Sequence, residues 1–177
     1  EAYRDALREY RREVAPRQWA LAQAATGATL QTLATIENPI ENLTAAVAAR
    51  RAALEVLTIE EAGSDWATAQ SGLGMSLLNL GTFQQTDKYL ADAEAAFEAS
   101  LTFYTRKDQP LQWAFGQNNI GDVYWNKGAL KGDKAAYEKA IEYFELAKQG
   151  FTEAGYTLPI PLTDQKIELV RKSLAGK

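Results

Sequence analysis

The chain contains no Cys and no His, so disulfides, thiolate nucleophiles, Ser-His-Asp triads and almost every structural zinc site lack their parts. Carboxylates remain for acid–base work: Glu60-Glu61, Asp122, and acids such as Asp87, Asp92, Glu94 and Glu98. Two suitably spaced carboxyls suffice for glycoside hydrolysis. Most of these acids, however, stand among cations such as Lys88, the pattern of a solvated helix surface. No Gly-rich turn follows a strand to cradle phosphate. The residues therefore predict no catalytic site, no metal site and no cofactor.

The stretch richest in recognition chemistry is QWAFGQNNIGDVYWNKG, residues 112–128. Phe115, Asn118, Asp122, Trp125 and Asn126 combine aromatic area with amides able to pair with a peptide backbone. The stretch is also one copy of a repeat. The dipeptide WA occurs at Trp19-Ala20, Trp66-Ala67 and Trp113-Ala114, and 66 − 19 and 113 − 66 both equal 47. In the same register fall Gln23, Gln70 and Gln117; Gly27, Gly74 and Gly121; Leu30, Leu77 and Tyr124; Leu43, Leu90 and Tyr137; and Ala46, Ala93 and Ala140. A fixed period of this length is the mark of a repeat architecture.

Each copy reads as two helices, A then B. In the third, Trp113, Ala114, Gln117, Ile120, Gly121 and Tyr124 recur at steps of three and four, as do Tyr137, Ala140, Ile141, Phe144 and Ala147. Asn38-Pro39-Ile40-Glu41 predicts a helix start with Asn38 as cap; Ser64, Thr86 or Asp87, and Asp133 read as further N-caps. Gly81 and Gly128 are placed where helices stop. Residues 18–36, 66–86 and 109–121 carry no charge, whereas the B segments are studded with it. A helices are thus expected to be flanked by protein on most sides, lining the inner surface of an α-solenoid, with B helices forming the outer one.

Composition agrees with a folded, soluble chain: 46% hydrophobic and 24% charged residues. The net charge of −4 offers no broad basic surface for phosphates, which argues against nucleic acid. The uncharged run Trp66 to Thr86 is long enough to span a bilayer but too rich in Thr, Ser, Gln and Asn to do so. The first residues show no signal-peptide pattern. The expectation is a cytoplasmic protein without membrane insertion.

The quoted residues resemble tetratricopeptide repeats, whose signature runs W-x2-L-G-x2-Y and then A-x3-F. Here Gln70-x2-Leu73-Gly74-x2-Leu77 precedes Ala93-x3-Phe97, and Gln117-x2-Ile120-Gly121-x2-Tyr124 precedes Ala140-x3-Phe144. The first copy departs, with Thr26 before Gly27 and Arg50 in the place of Phe97 and Phe144. The family period is about 34 residues, so the copies are similar to the long-repeat arrays common in bacterial proteins. The resemblance implies an all-α, right-handed superhelix of about eight helices in one domain spanning 1–177. Its parts are 1–15, helix B of a preceding repeat; repeats at 16–62, 63–109 and 110–156; and a capping helix over 157–177. Tyr3, Ala6, Leu7 and Tyr10 match Phe97, Ser100, Leu101 and Tyr104 at twice the period, which is the basis for the leading helix.

On the A helices a second stripe lies a quarter turn from the core stripe and is expected to face the inner groove. It comprises Leu21, Ala24, Ala28, Gln31 and Thr32; then Thr68, Ser71, Met75, Leu78 and Asn79; then Phe115, Asn118, Asp122, Trp125 and Asn126. Its chemistry changes from copy to copy while the core stripe stays constant. The expected ligand residues are Thr68, Ser71, Met75, Asn79, Phe115, Asn118, Asp122, Trp125 and Asn126, in a non-catalytic module that binds a protein or peptide. The alternative is a structural spacer or self-association element within a larger protein, forming homo-oligomers through exposed repeat ends.

Overall fold

The computed structural model describes residues 11–176, and these are all-helical. Seven helices follow in order: α1 Pro16–Leu33, α2 Pro39–Leu54, α3 Ile59–Gln84, α4 Asp87–Leu101, α5 Pro110–Lys131, α6 Lys134–Glu153 and α7 Ile160–Leu174. There is no strand among the described residues. The leading helix expected over 1–15 lies outside the described residues except for 11–15, which form a turn. No described helix is long and apolar enough to cross a membrane.

Each helix packs on the next in sequence, and α1 also meets α3, α3 meets α5, and α5 meets α7. The first helix pair makes no contact with the third. That pattern follows from the period-three-and-four stripes: each hairpin has an apolar side too large to cover alone, so its neighbour covers it.

The buried alanines repeat in all three copies. Ala20, Ala67 and Ala114 are all fully buried, as are Ala46, Ala93 and Ala140. The three tryptophans that precede the first set are half-buried: Trp19 and Trp66 both pack against the cluster of Ala20, Ala53, Leu57, Ala62 and Ala69, whereas Trp113 packs against that of Ala114, Ala147 and Phe151. Arg12 covers the Trp19 ring at 5.1 Å and Arg106 covers Trp113 at 5.0 Å, at positions two periods apart. The A–B crossing repeats as well. A Cβ on Gly74 would come within 2.7 Å of Phe97, and one on Gly121 within 2.6 Å of Phe144. In the first copy, a Cβ on Gly27 would meet Arg50 Cγ at 2.7 Å.

Several expected helix ends are corrected. Asp133 does cap α6, its carboxylate accepting from the Ala135 and Ala136 amides. Pro39 opens α2 as its spacing implies, but Asn38 is left-handed at φ 46° and its side chain makes no cap bond. Thr86 likewise precedes α4 without a side-chain cap bond. Ser64 lies inside α3: Thr58 caps the first turn, and the backbone breaks at Ala62 (φ −146°, ψ 40°) before the helix resumes. Gly81 and Gly128 are not helix ends. Each sits in a last turn against Leu90 or Tyr137, and its carbonyl accepts the closing bond from Thr86 or Asp133. The left-handed C-caps are Gln85 and Gly132, four residues further on.

Candidate functional site

The variable stripe occupies α1, α3 and α5, the helices with long uncharged segments. Its exposed members are Leu21, Ala28, Thr32, Thr68 and Phe115. Ser71 and Asn79 are half-buried. Met75 packs against the central core cluster and Leu78 is part of it, so these two serve the core. Thr68 shares a hydrogen bond of 2.8 Å with the Tyr104 hydroxyl.

The third-copy residues come together, but largely with partners of their own. Asp122 pairs with Lys166 of α7 at 2.7 Å, and Asn118 donates weakly to the same carboxylate at 3.4 Å. Asn126 donates to the Asp122 carbonyl and accepts from Thr82 of α3. Trp125 stands edge-on to Phe144, with ring centroids 6.5 Å apart. Phe115 contacts the edge of Phe151 at 5.0 Å yet remains 42% exposed. The closing helix therefore engages Asp122 and its neighbours, leaving Phe115, Ser71, Asn79 and Thr68 as the open part of the stripe. The sequence had no local signal for Lys166, which lies 44 residues from Asp122.

Burial raises the Asp122 carboxyl above its ordinary 3.8, outweighing the opposing pull of Lys166. A carboxyl raised in the folded chain resists losing its proton there more than in the unfolded chain. Wild type should therefore lose stability relative to Asp122→Asn as pH climbs from 3.8 through the raised value, then stay level. Urea melts of both proteins from acid to neutral pH check this; a difference moving the other way contradicts it.

Gln117, on the core stripe, does not form the cross-helix hydrogen bond that a buried amide calls for. It is 7% exposed and its Oε1 has no donor among the described residues. An acceptor left bare costs about 1–3 kcal/mol. Gln117→Met, similar in length, is expected to stabilise the chain by about 1 kcal/mol in chemical denaturation.

Charged side chains join α4, α5 and α6. Lys127 pairs with Glu94, which also accepts from Tyr124, and Lys139 lies 4.8 Å over the Tyr124 ring. A pocket of about 270 Å³ opens beside this group, with Lys131 paired to Asp87 at its rim. Its cations are thus largely spent on internal partners. Among the described residues no three acidic side chains converge as a metal site would require.

Comparison of the chain with protein-family models, with curated proteins and with solved structures finds no match.

Proposed function

We propose that this chain is a tetratricopeptide-like, right-handed solenoid that binds an extended segment of a protein partner along the face made by α1, α3 and α5, without catalysis. One observation carries this reading: these three helices touch in succession, each carries a long uncharged segment, and their stripe residues differ from copy to copy while the buried ones repeat. A constant scaffold with a variable uncharged face is the division of labour expected of a recognition surface. Phe115 supplies exposed aromatic area, and Asn79 and Ser71 supply amide and hydroxyl groups for a peptide backbone.

Peptides selected from a displayed random library, mapped by amide chemical shifts, test the proposal. Perturbations should centre on Thr68, Ser71, Asn79 and Phe115. A map centred on α2, α4 and α6 would assign recognition to the charged side and overturn it.

The second reading, self-association through the open end, is favoured by Leu158, Leu162 and Leu169, which are 77%, 58% and 49% exposed around the closing helix. Sedimentation velocity separates the two: a concentration-dependent dimer abolished by Leu162→Lys supports association, and a monomer throughout removes it.

A further inference from the structure

Arg50 occupies the place that Phe97 and Phe144 hold in the other copies, since 97 − 50 and 144 − 97 both equal 47. It is 6% exposed, and no carboxylate lies within ion-pairing distance among the described residues. Burial alone sets its pKa, holding it down at about 10, so it is a cation at neutral pH. Its protein partners are all neutral: Nη1, with two N–H bonds to donate, stands within reach of three acceptors, the Gly72 carbonyl at 2.6 Å, Gln31 Oε1 and Ser76 Oγ. The opposite edge of the guanidinium, formed by Nε and Nη2, has no acceptor among the described residues.

The surroundings depart from the repeat together with Arg50. Gln31 stands in register with Leu78 and Trp125, Ser76 with Thr29 and Val123, and Gly72 with Ala25 and Asn119. Gly72 lies over the face of the guanidinium: a Cβ there would come within 2.6 Å of Nε, 2.9 Å of Cζ and 3.2 Å of Nη2. A buried, unpaired charge is costly where a phenylalanine would pack at no such cost, and local rules are broken in this way mainly at functional sites.

Arg50 also lines a pocket of about 220 Å³ between α1 and α3. The rest of the wall is Leu21, Ala24, Ala25 and Ala28 from α1 and Ala69 from α3, completed by Thr68 and Asp65. Asp65 already has its counter-charge in Arg17 at 2.9 Å, so Arg50 is the uncompensated ion. The volume falls below the roughly 300 Å³ from which drug-sized ligands are held. A planar two-donor edge matches a carboxylate, and the aliphatic walls match a short apolar body. One free cation beside a paired carboxylate selects a single negative charge over two.

We infer that the space beside Arg50 is a binding site for a small organic monocarboxylate with a short apolar body. The site goes beyond the partner-binding reading and does not depend on it, because its test uses no protein partner.

Benzoate is the probe, titrated by NMR in a carboxylate-free buffer against benzamide and succinate. Benzoate should shift the Arg50 Nε–H resonance and the amides of Ala24, Ala28 and Ala69, with Kd near about 1 mM. Benzamide and succinate should bind at least roughly tenfold more weakly. Arg50→Phe restores the residue of the other copies and is expected to fold with a raised Tm while losing benzoate. Ala28→Leu keeps the charge but fills the pocket that Ala28 lines, and should weaken benzoate roughly tenfold. Absence of benzoate binding at millimolar concentration, equal binding of benzamide, or unchanged affinity in a folded Ala28→Leu protein would each overturn the proposal.

Discussion

Phe144→Ala and Phe97→Ala should each lower the unfolding free energy by about 3–5 kcal/mol in urea or guanidinium denaturation. Both rings are completely buried. Phe144 lies in the cluster that joins α6 to α7 through Ile167 and Val170, and Lys166 sits 5.2 Å over its ring. Phe97 belongs to the largest cluster, with Leu73, Leu77 and Ile120. On one side of each ring stands the backbone of the facing A helix, at Gly74 or Gly121, which has no side chain to refill the space. Phe83, 55% exposed, is the internal control, and its replacement by Ala should change stability by no more than about 0.5 kcal/mol. Similar losses at 97 and 144 would fit two copies of one packing unit; a loss confined to one of them would not.

The second large effect concerns the glycines facing those rings. In an exposed helix, Gly→Ala is stabilising by about 1 kcal/mol through propensity. At Gly121 the sign should reverse, because the added methyl would stand 2.6 Å from Phe144 Cε1 and 2.7 Å from Cδ1, against a ring that is fully buried. Gly121→Val should cost about 3 kcal/mol or more, combining overpacking with the poorer helix propensity of a β-branched residue. Combining it with Phe144→Leu should recover part of that loss, a positive coupling that distant sites would not show. Additive losses in the double-mutant cycle would mean that the helices do not meet at this contact.

The repeat, the helix pairs and the buried stripes were legible because they are written in short-range periodicity, and all three copies carry them. Helix ends were read less well. Gly81 and Gly128 look like stops on composition, yet a glycine inside a helix is also what permits a large residue such as Leu90 or Tyr137 to cross closely, and only the opposing surface distinguishes the two uses. Asn38 does stand at the N-cap position of α2, but its backbone is left-handed and its side chain makes no cap bond. At the candidate site the stripe was visible, but the capture of Asp122 by Lys166 was not, since the pair joins α5 to α7 with no periodic signal between them. Arg50 was visible as a break in the A-x3-F pattern. Its meaning appears only when Gln31, Gly72 and Ser76 are seen to surround it.

All of these effects rest on helix pairs stacked one after another, with the first and third pairs apart. Spin labels at Thr44, Ala91 and Glu138, exposed and one period apart on α2, α4 and α6, measure this directly by pulsed dipolar spectroscopy. The account predicts equal 44–91 and 91–138 separations, each roughly 20 Å for two helix spacings, and a 44–138 separation approaching twice that value. A 44–138 distance no longer than the other two would mean a closed bundle, and would contradict the stack, its variable face and the pocket between α1 and α3.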